Sequence, residues 1–418
     1  MNMAKKVIVI GGGIVGLSTA YFLQQEGHKV VVFDKSSMHS GASYVNAGYL
    51  TPSHIVPLAA PGMITKGLKW MFNSSSPFYI KPRLDIDLMD WGLKFMRSCS
   101  KKHVQRSLKV IKDINVLSKE LYHDFDALPQ LDFHLEDRGV LMAFQSVAAE
   151  KAEAEVMREA IKLGLDVSLI DRKQVHALQP GIDMNIAGAY LYRCDAHTTP
   201  EIFMEQLKAY LLKAAVQIHQ ETTVQKLQQS GTKVTSVITD KGDFICDEVV
   251  IASGAWSQKL LKPLGINLPI QAGKGYRLNE EQPTGITMPA ILMESKVAVT
   301  PMRGFTRFSG TMEIAGVNHS IQKNRVEAIA AAAANYYPGV SISQKTKDEV
   351  QCGLRPLSPD GLPFIGRHSK YKNLSLATGH SMMGWSLGPA TGKLIAELIS
   401  DQKTSLDLTP FAAERRYG

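Results

Sequence analysis

The chain has 418 residues, 44% of them hydrophobic and 21% charged, which is long enough for two domains with their own cores. Four scattered cysteines exclude a disulfide scaffold, and the lack of a run of about eighteen apolar residues excludes a membrane-spanning helix. The net charge of +8 is spread along the chain, so a nucleic-acid stripe is not expected.

Lys5–Ile10 reads as a buried strand that runs straight into Gly11-Gly12-Gly13-Ile14-Val15-Gly16. Leu17 to Gly27 then reads as a helix, and His28–Phe33 as a second strand that delivers Asp34 at its tip. A glycine triplet alone is weak. Set between strand and helix, with an acid about twenty residues on, it predicts a dinucleotide site. Gly11 permits the turn, Gly13 admits the pyrophosphate, and Gly16 lets helix and strand pack. Asp34 can accept from a ribose hydroxyl. The motif binds ADP-ribose and does not separate NAD from FAD. The first strand starts so early that no cleaved signal peptide is expected.

Ser40–Ser43 and Val45–Pro52 are rich in small and turn residues. Ser43 can bond a phosphate, and the Asn46-Ala47-Gly48 backbone can approach a flat ring; a plain surface loop is the equal alternative. Met63–Phe72, with Trp70, and Leu88–Met96, with Trp91, are apolar and basic. Each suits either a membrane surface or, by about two to one, a helix packed on its own domain. One long helix is expected over 97–128, two short strands over 133–144 around Asp137-Arg138-Gly139, and a helix over 147–163. A turn follows at 179–182, then a strand at 187–192.

Thr198 or Thr199 is the expected N-cap of a helix that has Pro200 as its first residue and ends near Ala215. Two strands flank Ser230-Gly231. Asp247–Ala252 is a strand that opens into Ser253-Gly254-Ala255-Trp256, where a parallel sheet exposes its carboxyl edge to a ligand. Lys274–Arg277 and 291–311 read as antiparallel strands, 325–337 as a helix, and 374–380 as a strand and turn. Gly384–Pro389 opens a last helix reaching Ile399, whose N-terminus offers a positive dipole end.

These stretches resemble the FAD-dependent amine oxidoreductases of the D-amino acid oxidase / glycine oxidase family, and most of all its bacterial D-amino acid dehydrogenases. The likeness is carried by 9–16, Ser43 with Asn46-Ala47-Gly48, 250–257, and Gly353-Leu354-Arg355-Pro356 with Pro359-Asp360-Gly361. It continues through Gly379-His380 and Gly388-Pro389-Ala390-Thr391-Gly392, with Ala59–Gly62 and Lys274-Gly275-Tyr276 added on the dehydrogenase side. The resemblance implies non-covalent FAD and hydride transfer from the Cα of an amino acid, the imino acid then hydrolysing. It implies an amino acid substrate and a quinone or other carrier as electron acceptor; an oxygen-using amino acid oxidase of glycine/sarcosine or D-proline type, or a non-catalytic flavin-binding redox protein, is the alternative.

For the fold, the resemblance implies an α/β, Rossmann-like FAD domain (1–85, 197–262, 349–418) interrupted by an α+β substrate domain (86–196, 263–348) with a mostly antiparallel sheet. The implied cofactor contacts are Gly11, Gly13, Ile14, Val15, Gly16, Asp34, Lys35, Ser43, Asn46, Ala47, Gly48, Val224, Ser253, Gly254, Trp256, Gly353, Arg355, Gly379, His380, Gly384, Trp385 and Ser386. Arg355 occupies the place of the family's carboxylate clamp; Tyr276, Arg307 and His54 are further candidates at the substrate, and Arg303 a weaker one. No metal is expected. A cytoplasmic protein, or one peripheral on the inner face of the cell membrane, fits the whole.

Two departures matter. Ser381-Met382-Met383 stands where the glycine oxidases carry an arginine, and Val297-Ala298-Val299 where they carry a substrate tyrosine. Both imply a more apolar pocket and a substrate larger than glycine.

Overall fold

A computed structural model describes residues 3–63 and 78–418. Apolar, β-branched runs form the first sheet. Its six strands run in the order Phe364–Arg367, Leu374–Thr378, Glu248–Ile251, Lys6–Ile10, Lys29–Phe33 and Gln217–His219. All neighbours are parallel except the first pair. Val7, Val9, Val30 and Val32 meet the helices Ile14–Gln25, Lys101–Asp126, Pro200–Lys213 and Gly384–Ile399 on one face. Ile8, Ile10, Val31 and Phe33 point to the other, where the hairpin strands Val224–Ser230 and Lys233–Thr239 cover them. A sheet buried on both faces needs such continuous apolar strands.

The second, nine-stranded sheet is mixed and mostly antiparallel, with its two longest strands, Gln271–Glu280 and Phe305–Ile314, paired next to the edge strand Gln351–Leu357. Helix Lys323–Tyr336 packs Val326, Ile329 and Ala333 onto it. Phe78–Ile80 and Gln351–Leu357 pair into this sheet, although the sequence reading assigns both to the FAD domain.

The expected helix over 97–128 is found as Lys101–Asp126, and Arg97 and Ser98 belong to the preceding helix, Ile86–Ser98, which covers the amphipathic stretch read at 88–96. Cys99 leaves the helical region, and Ser100 Oγ caps the second helix by accepting from the His103 amide at 3.1 Å. The two strands expected over 133–144 are one strand, Val140–Phe144, with Glu136 making only an isolated bridge to His197. Thr199 is the N-cap residue before Pro200, but its hydroxyl accepts from the Arg303 amide and bonds His134 rather than closing the helix end.

Trp91 is buried, stacks on Phe95 and donates Nε1–H to the Leu357 carbonyl at 2.9 Å. The membrane-contact reading of Met63–Phe72, with Trp70, falls outside the described residues beyond Met63. No helix among the described residues is long and apolar enough to cross a membrane.

Candidate active site

A cavity of about 1250 Å³ lies between the carboxyl edge of the six-stranded sheet and the face of the nine-stranded one. Ligands of open parallel sheets bind at this edge. At one end the turn Gly11–Gly13 enters helix Ile14–Gln25. Gly11 has φ +116°, and a Cβ there would stand 2.4 Å from the Ala252 carbonyl oxygen. The helix has no side-chain cap at Gly13, although Ser43 Oγ accepts from the Ile14 amide at 2.9 Å. Asp34 accepts from the Gly12 amide at 2.7 Å and from Ser36 N and Oγ, and still faces the cavity. Lys35 Nζ sits 3.6 Å over the Trp256 ring, and burial lowers its pKa. Val224, Ser253 and Gly254 share this wall.

Asn46, Ala47, His380, Gly384, Trp385 and Ser386 meet at the other end. Trp385 Nε1–H donates to Thr198 Oγ1, and Ser386 Oγ–H to Asn115, so the N-terminus of the last helix is fixed by its own side chains. His380 bonds Thr391 Oγ1 through Nε2, and burial pushes it down to about 3. Burial, with Lys296 beside it, also lowers the pKa of His54. Both imidazoles are therefore neutral at pH 7.

Arg355 reaches the same end from strand Gln351–Leu357. Its guanidinium lies against Gly275 on the neighbouring strand: a Cβ there would stand 2.1 Å from Nη1 and 2.4 Å from Cζ and Nη2. One hydrogen bond fixes it, from Nη1 to the Thr311 carbonyl at 2.9 Å. Thr311 has φ +66° where the register between Gln271–Glu280 and Phe305–Ile314 shifts. A β-branched residue rarely adopts that conformation, and here it turns the carbonyl toward Arg355. Arg355 makes no ion pair with a carboxylate among the described residues. Burial alone lowers its pKa, to about 10, so it stays charged. Asp34, at the far end, is the one carboxylate among the described lining residues.

Residues 6–398 match the model of the DAO family, FAD dependent oxidoreductases. The chain belongs to this family. It is 30% identical over 409 residues to a D-amino acid dehydrogenase of Neisseria meningitidis serogroup C, covering 96% of this chain and 97% of the relative. A D-amino acid dehydrogenase of Bradyrhizobium diazoefficiens is 28% identical over 424 residues, covering 99% and 100%. The crystal structure of glycine oxidase from Geobacillus kaustophilus matches with a TM-score of 0.78 at 21% identity, over 99% of this chain and 100% of that one. L-proline dehydrogenase from P. horikoshii matches at 0.74 and 19%, over 99% and 98%. At these identities the two structures speak for the fold.

FAD is the cofactor of this family, and the cavity fits it: a glycine turn at a helix N-terminus, an acid after the second strand, and space for a dinucleotide.

Several residues expected at the site are placed elsewhere. Strand alternation sends Gly275 to the cavity and Tyr276 to the opposite face, where its hydroxyl donates to Glu313 at 3.1 Å within the substrate-domain core. Arg307 is fully buried outside the cavity wall. It donates to the Tyr44 and Asn46 carbonyls at 3.0 and 2.6 Å, to Asn279, and to Glu201. It pins the loop that borders the cavity. Arg303 is paired with Asp132 at the surface.

Three of the expected cofactor glycines also stand back from the wall. A Cβ at Gly16 would meet the Gly11 carbonyl, one at Gly48 (φ +78°) the Thr198 carbonyl, and one at Gly379 the Phe364 ring. They shape the turns beside the site. Ala298 lines the cavity while Val297 and Val299 pack in the core; Ser381, Met382 and Met383 all line it. Gly275 and Thr311 were missed as site residues. Gly275 carried a signal in the Lys-Gly-Tyr motif, but Thr311 carried none, because its role comes from a carbonyl.

Proposed function

We propose that the protein is an FAD-dependent D-amino acid dehydrogenase. It removes a hydride from the substrate Cα, the imino acid hydrolyses to a 2-oxo acid and ammonia, and the electrons pass to a quinone or other carrier. The observation that carries this reading is Arg355: a charged guanidinium in the cavity wall with, among the described residues, one bond to the protein and no carboxylate paired with it. Bound FAD supplies the hydride acceptor. The Gly11–Gly13 turn, the amides of Ile14 and Val15, Asp34, Lys35, Val224, Ser253, Gly254 and Trp256 would hold its adenosine diphosphate half without a covalent bond. Ser43, whose Oγ lies at the Gly13–Ile14 turn, would join the phosphate contacts, and Asn46, Ala47, Gly353, His380, Gly384, Trp385 and Ser386 would border its ring.

Arg355 binds the substrate carboxylate through paired N–H bonds, which fixes a plane and leaves Cα–H one way to point. The carbonyl of Thr311 holds that fork in place. Arg355 lines this end with no acidic side chain among the described lining residues there, and an ammonium group is disfavoured beside it. The substrate amine is therefore held neutral, the form that can release hydride. Met142, Ile291, Ala298, Met312 and Met382 give an apolar wall for a side chain. The likeness to relatives named D-amino acid dehydrogenase supports D stereochemistry. A lipid-soluble quinone as acceptor would place the protein at the inner face of the cell membrane.

Purified protein, titrated without oxygen with D- and L-amino acids, glycine and prolines, should lose its flavin absorbance with D-amino acids only. Bleaching by L-amino acids or by none would refute the reading. Fast reoxidation in air would make it an oxidase.

A further inference from the structure

We propose that helix Ile86–Ser98 is the face by which the protein docks on an anionic lipid bilayer; this rests on the reading above only in its choice of a lipid-soluble acceptor. Amphipathic helices normally turn their apolar side inward. This one has apolar residues on both sides. Trp91, Leu88 and Phe95 face the interior, against Phe78, Met312, Ile314 and Leu357. Ile86, Met89, Leu93 and Met96 form a second stripe on the solvent side, 82%, 61%, 53% and 46% exposed. Leu84 extends it and is fully exposed. Among the described residues, five of the fifteen exposed large hydrophobic residues thus fall within one helix and its approach. From Ile86 to Met96 the stripe runs for about 15 Å along the axis. A contiguous exposed patch of this kind marks an interaction site, whereas scattered residues do not.

The charges around the stripe select the partner. Asp85 is paired with Arg83, Asp87 with Lys262 and Asp90 with Lys94. Lys81, Arg97, Lys101 and Lys102 are exposed, and no ion pair joins them to an acid among the described residues. Every carboxylate of this face is therefore matched while four cations remain. A convex helix with a Leu/Ile/Met stripe and a cationic rim fits anionic headgroups over an acyl layer. The position suits electron delivery, since Phe78 and Met312, against which the helix packs, also line the cavity.

The test is flotation of FAD-loaded full-length protein with phosphatidylcholine vesicles with and without phosphatidylglycerol. The protein should bind the anionic vesicles, lose binding as salt rises, and bind neutral vesicles at least tenfold more weakly. The double variant Met89→Glu/Leu93→Glu should lower partition on anionic vesicles tenfold or more. Its turnover of D-amino acids with a soluble dye should be unchanged, because neither side chain reaches the cavity. Wild-type protein that ignores anionic vesicles, or a double variant that binds as well as wild type, overturns the proposal. A protein that floats as described yet reduces no dye with any D-amino acid would leave the docking face standing and sink the proposed reaction instead.

Discussion

Gly275→Ala separates the geometry of the carboxylate clamp from its stability. The glycine's φ lies outside the left-handed region, so alanine brings no backbone strain. Its methyl group would overlap the Arg355 guanidinium, 2.1 Å from Nη1 and 2.4 Å from Cζ and Nη2. Carbon and nitrogen atoms need roughly 3.4 Å or more, so the guanidinium must move by about an ångström. It sits at the end of a flexible side chain with one bond to the Thr311 carbonyl, so the shift costs the fold little. A misplacement of about an ångström at a reacting site costs up to about a hundredfold in rate. We therefore expect kcat/KM for D-amino acids to fall between about ten- and a hundredfold, with Tm and bound flavin close to wild type. Dye-coupled kinetics, a thermal melt and the flavin spectrum measure the three quantities. A kcat/KM within twofold of wild type would show that Arg355 does not hold the substrate, or holds it with the guanidinium elsewhere.

Arg355→Ala should lower kcat/KM by about two orders of magnitude or more while FAD stays bound, and Arg355→Lys should recover only part, because an ammonium keeps the charge but not the fork; near-normal kinetics in either would refute the clamp. Arg307→Ala removes four hydrogen bonds, leaving Glu201 and the Tyr44 and Asn46 carbonyls without their partner. A loss of about 3–5 kcal/mol is expected, with flavin released on desalting; an unchanged melt would contradict the pinning role. Burial pushes the Asp195 carboxyl up to about 7, against donors only from Ser53 and Cys194. Between about pH 4 and 7 the folded state holds a proton that the unfolded chain has released. Stability should therefore fall as pH rises through that window, by up to about 1.4 kcal/mol per unit. Asp195→Asn should lack that slope, so the difference between the two stability profiles should change across the window; parallel profiles would refute the assignment.

The nucleotide end was legible because it is local: strand, glycine turn, helix, strand and acid follow one another within 34 residues. The break at Cys99–Ser100 was placed a few residues early, at 96–97, since the apolar pattern continues across it and only Cys99's departure from helical geometry separates the two helices. Tyr276 was misplaced by one residue of strand parity. Gly275 faces Arg355 across a register that the sequence does not print. Arg307 sits on a central strand, as an arginine near a substrate would, and only the path of the loop Tyr44–Asn46 shows that its donors are used up. The two departures from the glycine oxidase pattern, at 297–299 and 381–383, were legible as chemistry, and Ala298, Met382 and Met383 do reach the cavity.

The electrostatics of the cavity carry the last prediction. Arg355 supplies positive charge at the substrate end, where no described lining residue is acidic, and His54 and His380 are held neutral by burial. No carboxylate among the described lining residues stands at that end to accept the proton of a substrate ammonium, and their lowered pKa makes both imidazoles weak bases. Deprotonation must then occur in solution, and the neutral-amine fraction sets the productive concentration. Below the pKa of the substrate amine, kcat/KM should rise about tenfold per pH unit. The profile should move with that pKa when substrates of different amine basicity are compared. His319→Gln should leave the slope unchanged, although His319 lines the cavity. A rising limb fixed in pH regardless of the substrate's amine would show that a group of the protein removes the proton, and the neutral-amine mechanism would be wrong.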